Sequence, residues 1–309
     1  MRQPDGQRCQ HQPRRPRLER RPHYRACPPL SRSRLDTQDI NARAKDLPSH
    51  PQYCDGTSFT GNNDDVPTVS GDPLYFRGIR NLRAIFDDLV AHQGLGSATE
   101  VVVGGDSAGG LATWIHTDYI ASRVPATARV AGMPDSGFFM EVGSWAQAQR
   151  GMVTMANATG GLHPRCVAAH ATDPAACIFA QETAPFCSTR MFALQGQYDA
   201  YQVSAILHSE DPAKVNPYGQ NLVATLKKQV LDGKKNAAFV DSCLHHCGYW
   251  DGCLGKAIDG ANTSTAFFSF FYEKPGAQQL WYQNETFPCT SCCGSGPCGL
   301  PTASAEGGP

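Results

Sequence analysis

The stretch from Ala98 to Ala121 constrains the fold more than any other part of this chain. A β-branched run, Ala98 to Val103, meets Gly104-Gly105-Asp106-Ser107-Ala108-Gly109-Gly110, and the apolar sequence Leu111 to Ala121 follows directly as a helix. Strand, tight turn and helix in such close succession force the backbone at Ser107 into a crowded conformation, so small residues must stand two positions to either side. Gly105-Asp-Ser-Ala-Gly109 fits the pattern G-x-S-x-G, which lifts a serine hydroxyl above the carboxyl end of its strand as a candidate nucleophile. The pattern alone recurs by chance. Its place between an apolar strand and a helix makes it specific.

The same alternation continues along the chain. Residues 74–94 place Ile79, Leu82, Ile85, Phe86 and Leu89 at helical spacing, and Gly94 and Gly96 end that helix. Arg129–Met133, Met191–Leu194 and Asn236–Val240 read as strands and Gln220–Leu231 as a helix. Strands separated by helices imply an α/β architecture with a mostly parallel sheet. Between Gly143 and Cys187 the pattern breaks into Ala-, Gly- and Cys-rich sequence, read as a disulfide-tied cap insertion. Phe138, Phe139, Trp145, Met152 and Met155 stand near its start and are expected to be cap core rather than an acyl tunnel. There is no internal repeat.

Cysteine and charge are both unevenly placed in the 309 residues. Ten of the 13 cysteines lie between Cys166 and Cys298. Spacings such as Cys243–Cys247–Cys253 and Cys289–Cys292–Cys293–Cys298, with Asn-x-Ser/Thr sites at Asn157, Asn262 and Asn284, favour an oxidised, secretory setting over a zinc cluster. No metal or other cofactor is expected. Residues 1–46 hold 12 basic groups against five acidic ones, a net +7, and the remainder carries −8. Residues 1–50 contain no apolar run of a signal peptide and are expected to be a disordered basic arm or an incorrectly assigned start of the gene, not a nucleic-acid-binding element. Order is expected from about Pro51 to residue 300, with 301–309 a disordered tail. No apolar run approaches the roughly 18 residues of a membrane span.

A serine hydroxyl is a weak nucleophile and needs a base that is itself oriented by a carboxylate. In α/β-hydrolases these partners follow in the order Ser, Asp or Glu, His, on loops after later strands. Asp199 stands directly after the Met191–Leu194 strand, in Gln195-Gly-Gln-Tyr-Asp-Ala-Tyr-Gln202, with Asp135 and Asp211 as competitors. The base lies in Ser242-Cys-Leu-His-His-Cys247 after the Asn236–Val240 strand, and is either His245 or His246. A metal site with Cys243 and Cys247 is the rival reading of those histidines.

Five blocks in order carry a specific likeness: Tyr53-Cys-Asp-Gly-Thr-Ser-Phe59, Gly105-Asp-Ser-Ala-Gly-Gly-Leu111, Met133-Pro-Asp-Ser-Gly-Phe-Phe139, Gln195 to Gln202 and Ser242 to Cys247. Together with an aromatic helix, Phe267 to Tyr272, and a Cys-rich close, they resemble the pectin acetylesterase/Notum family over roughly residues 53–298. The resemblance implies an α/β-hydrolase-like fold, secretion, disulfides, and cleavage of carboxylic esters by a Ser-Asp-His triad without metal. It implies Ser107 as nucleophile, Asp199 as the acid and His246, directly before the second Cys of its block, as the base. The Ala108 N–H is expected to supply one oxyanion-hole donor. Substrates implied are acylated polysaccharides such as pectin, or an O-acylated protein as for Notum, met by a monomer outside the cell or in the cell wall.

One departure stands out. Family members carry, before the Tyr-Cys-Asp-Gly block, a Gly-Gly-Gly-Trp-Cys loop with further oxyanion donors and the first strands of the sheet, and this sequence contains no Gly-Gly-Gly. Loss of one such donor costs on the order of 10²–10³ in kcat. The expectation is either a longer natural protein or a poorly soluble, nearly inactive chain, with an extracellular binding pseudoenzyme as the non-catalytic alternative.

Overall fold

The computed structural model describes residues 51, 54–69, 71–233, 235–249, 257–289 and 291–293. The arm (1–50) and tail (301–309), with Cys9, Cys27, Cys253 and Cys298, lie outside the described residues. A short antiparallel hairpin, β1 (Thr68–Val69) with β2 (Asp72–Pro73), precedes the helix α1 (Gly78–His92). The main sheet then runs β3 (Glu100–Asp106), β4 (Arg129–Asp135), β5 (Arg190–Gly196), β6 (Ala237–Asp241) and β7 (Leu280–Tyr282), hydrogen-bonded in that order and parallel throughout. It is the α/β fold with flanking helices that the alternating pattern predicts.

Strand sequence explains which strands lie inside. Met191 to Leu194 and Ala237 to Val240 are continuous apolar runs because both of their faces are covered. On one face Met191, Ala193, Ala238 and Val240 pack with Trp114 and Ile115 of α2 (Ala108–Ala121) and with residues of the insertion. On the other, Phe192, Leu194 and Phe239 meet the aromatic helix, whose Phe267, Phe270 and Phe271 are buried. The period-2 alternation of a strand sorts neighbouring residues between these two cores.

β3 departs from expectation. Its valine run reads as a buried strand, yet β3 is the outer strand of the sheet among the described residues, and Val102 is 39% exposed. The insertion is built of α3 (Gly143–Met155), α4 (Pro164–Ala169) and α5 (Ala180–Thr183), and a disulfide joins Cys166 to Cys177. Its Val153, Leu162, Ile178 and Phe179 belong to the same apolar cluster as the sheet, so it is an extension of the main core. α6 (Pro212–Leu226) begins eight residues before the expected Gln220, because Asp211 accepts the Ala213 N–H as an N-cap and Pro212 occupies the first turn. α7 (Thr263–Phe271) is capped in the same way by Asn262. Near the end of the described chain, disulfides join Cys243 to Cys293 and Cys289 to Cys292, while Cys54 and Cys247 are disulfide-bonded as well.

Because the strands are parallel, their carboxyl ends share one edge of the sheet. Asp106, Asp135, Gly196 and Asp241 are the last residues of β3, β4, β5 and β6. The loops leaving them carry every residue of the candidate site, as expected for open parallel sheets. No helix among the described residues is long and apolar enough to cross a membrane.

Candidate active site

Ser107 stands between the last residue of β3 and the first of α2 with φ 55° and ψ −115°, a conformation that non-glycine residues seldom adopt. Two glycines make the turn sterically feasible. A Cβ on Gly105 would lie 2.8 Å from the Gly109 backbone, and one on Gly110 would collide with the Asp135 carbonyl. The Ser107 N–H donates to that same Asp135 carbonyl at 2.9 Å, so the elbow is fastened to the neighbouring strand end. From behind, the block after Cys54 grips the helix head. The Asp55 carboxylate accepts the N–H groups of Thr57, Phe59 and Gly61, while Ser58 Oγ donates to the Ala108 carbonyl at 2.9 Å.

The three residues expected from the motifs come together across 139 positions of sequence. His246 Nε2 lies 2.8 Å from Ser107 Oγ, and His246 Nδ1 lies 2.8 Å from Asp199 Oδ2. Asp199 is 1% exposed and receives further donors: the Gln202 N–H at 2.9 Å and Gln195 Nε2 at 3.3 Å. Gln195 and Gln202 also brace the β4 loop, accepting the N–H groups of Phe138 and Met140. Neither glutamine is identifiable as a site residue from sequence, although both lie inside the Gln195–Gln202 block. Ala108 is the first residue of the 14-residue helix α2, beside Ser107.

The loop bearing His246 is tied down on both sides. The Ala200 N–H donates to the His245 carbonyl at 2.8 Å, and the Cys247 N–H donates to Ser136 Oγ at 2.9 Å. Ser136 in turn donates to Asp135 Oδ1 at 2.8 Å, and the Tyr249 N–H donates to Asp135 Oδ2 at 3.0 Å. Asp135, weighed from sequence as a rival acid, is thus fully buried beneath the loop and holds its backbone. Burial, then the nearby Asp106 carboxylate, push its carboxyl up to about 7. Asp211, the other rival, is the exposed cap of α6.

His245 does not face Ser107. Its Nε2 lies 3.0 and 3.1 Å from the two oxygens of Asp241, and its Nδ1 lies 3.1 Å from the Cys247 carbonyl. Burial pushes this imidazole down, but the Asp241 carboxylate, helped by Asp135 and the Cys247 carbonyl, outweighs it and raises the group to about 9. A metal reading of this loop conflicts with Cys243 and Cys247 both being disulfide-bonded, which leaves no thiolate to bind an ion. The same holds for Cys166, His170 and Cys177, the one ligand-like grouping among the described residues.

An aromatic wall borders the site. Tyr201 stacks on His246 at 5.3 Å between ring centroids, Phe139 lies 6.2 Å from it, and Trp145 packs on both Phe139 and Tyr201. Phe138 and Phe139 are buried in the core as expected, with Trp145 and Met152 packed against it, and Phe139 also borders His246, while Met155 is exposed.

The sequence profile of the pectinacetylesterase family matches residues 51–294. Pectin acetylesterase 11 of Arabidopsis thaliana is 30% identical over 262 residues, covering 74% of this chain and 65% of the relative. Pectin acetylesterase 7 of the same plant is 28% identical over 274 residues, covering 78% and 68%. The chain therefore spans about two thirds of the length of these relatives. Among solved structures, the Wnt deacylase Notum from Drosophila superposes with a TM-score of 0.66 at 21% identity, covering 79% of this chain and 73% of that one, a likeness of fold. With the profile spanning nearly all the described residues, the chain belongs to the pectinacetylesterase family.

Proposed function

We propose that this protein is a serine carboxylesterase that removes short O-acyl groups, acetyl foremost, from a pectin-like cell-wall polysaccharide. The observation that carries the reading is the unbroken contact from Ser107 through His246 to Asp199, 2.8 Å at each step. Asp199 accepts the Nδ1 proton and leaves Nε2 as the acceptor, so His246 takes the Ser107 proton as the hydroxyl attacks the ester carbonyl. The Ala108 N–H, at the positive end of α2, stabilises the oxyanion. His246 then returns the proton to the departing sugar oxygen, and a water activated by the same ring releases the acid. The names of the Arabidopsis relatives support acetyl as the group removed. The disulfides support action in the secretory space or cell wall, where we propose that it works as a monomer.

A second reading, cleavage of a longer acyl chain from a protein, is favoured by the apolar wall of Phe139, Trp145 and Tyr201 around His246 and by the deacylase named for the Drosophila structure. Fluorophosphonate labelling of the intact chain, read by mass spectrometry, tests the chemistry. The adduct is expected on Ser107 and absent from Ser107→Ala. A label retained by that variant overturns the assignment, and no label at all favours a binding pseudoenzyme. Rates on p-nitrophenyl acetate against p-nitrophenyl octanoate then separate the two substrates, with acetate expected to be faster.

A further inference from the structure

The hydrolytic relay leaves one buried charged group unused, the imidazole of His245 immediately before the base. Its side chain is 9% exposed and that of its partner Asp241 is 7% exposed. Both ring nitrogens face groups that accept and cannot donate, a carboxylate at 3.0 Å and a carbonyl at 3.1 Å. Only a ring protonated on both nitrogens satisfies that arrangement. Its ends are also informative. Asp241 is the last residue of β6, and Cys247, held at φ 65°, directly follows His246. The ring therefore ties the end of the strand to the far side of the residue whose position matters.

We propose that His245 is a positioning residue: as an imidazolium it clamps Asp241 to the Cys247 carbonyl and so holds His246 between Ser107 and Asp199. This rests on reading those three residues as the ester-hydrolysing relay. When the ring loses a proton, one nitrogen presents a lone pair to an oxygen about 3 Å away, and either Asp241 or the Cys247 carbonyl must withdraw. Displacements of this kind are costly, since a shift of about 1 Å in a reacting group lowers a rate by roughly 10²-fold.

The charged groups around the ring favour the protonated form. Asp241 faces it from β6, Asp135 from the end of β4 with Asp106 of β3 behind, and Tyr249 packs edge-on at 5.0 Å, with His246 next in the chain. Once ionised, Asp135 adds negative charge facing His245 and strengthens the clamp. The consequence is an alkaline limb in turnover that belongs to His245.

Two measurements on the full chain test this. In ¹⁵N-histidine NMR of the wild type, His245 is expected to stay doubly protonated at pH 7, to titrate near pH 9, and to carry the His246 ring signals with it. In His245→Gln, kcat for p-nitrophenyl acetate at pH 7.5 is expected to fall about 10- to 100-fold with KM nearly unchanged, and the alkaline limb is expected to vanish. A neutral His245 at pH 7, or His246 signals indifferent to its titration, overturns the proposal without any variant. So does a His245→Gln enzyme with the wild-type kcat and alkaline limb. If wild type shows no Ser107-dependent hydrolysis, the esterase reading fails, and the NMR coupling still decides whether His245 positions His246.

Discussion

Asp199–His246 and Asp241–His245 are the same two kinds of side chain, at 2.8 and 3.0 Å, carried by adjacent histidines of one loop. What separates them is the second ring nitrogen. That of His246 faces a hydroxyl, which can donate as well as accept, and that of His245 faces a carbonyl, which only accepts. A neutral imidazole with a free lone pair therefore fits the first site and conflicts with the second. A histidine next to a carboxylate is a base only where its other nitrogen meets a transferable proton. On the proposed reading, the Asp199–His246 pair exchanges a proton and the Asp241–His245 pair keeps it.

The largest effect should come from breaking the Asp199–His246 pair. Asp199→Asn preserves shape but favours the wrong tautomer of His246, and kcat should fall by about 10⁴-fold while the folded structure persists, checked by ester hydrolysis alongside circular dichroism. Breaking the Asp241–His245 pair should register in stability first. Asp241→Asn leaves a buried imidazolium uncompensated at a cost of about 3–5 kcal/mol, a fall in Tm of roughly 10 °C for a domain of this size. An unchanged Tm would mean that Asp241 and His245 do not form a buried ion pair.

The smallest effect sharpens the comparison by pH. His245 is raised from 6.5 to about 9, so its contribution is complete below pH 6.5 and is lost as pH rises through 9, on the order of 3 kcal/mol in all. Asp135, raised from 3.8 to about 7, acts in the same direction in a lower window, since the native state keeps a proton that the unfolded chain releases. Denaturant unfolding should therefore show stability declining from pH 6.5 to 9. The decline should flatten in His245→Gln and persist in Ser107→Ala.

Much of the site was legible because its residues sit at turning points of the chain. Ser107 lies in a turn that only a narrow set of neighbours permits, and Asp199 and His246 follow strands visible as apolar runs. Supporting residues leave no such trace. Gln195, Gln202, Ser136 and Asp241 act through hydrogen bonds, several of them to partners 57 to 111 positions away, and glutamine or serine at the end of a strand is unremarkable in composition. The valine run by itself does not mark β3 as the outer strand among the described residues, because three consecutive valines look alike in an outer strand and an inner one.

By itself the amino-acid sequence determined the parallel α/β plan, the elbow at Ser107 and the order of the three partners, since these depend on periodicity, turn sterics and chain order, which are local. It left three candidate aspartates and two adjacent histidines, and chose among them only by resemblance. The tertiary structure separates them physically. Consecutive residues of a tight loop point apart, and packing set His246 against a hydroxyl and a carboxylate on the turns that follow two other strands while it sealed His245 between Asp241 and a carbonyl. Which nitrogen meets which oxygen is a property of elements far apart in the chain, and no local pattern encodes it.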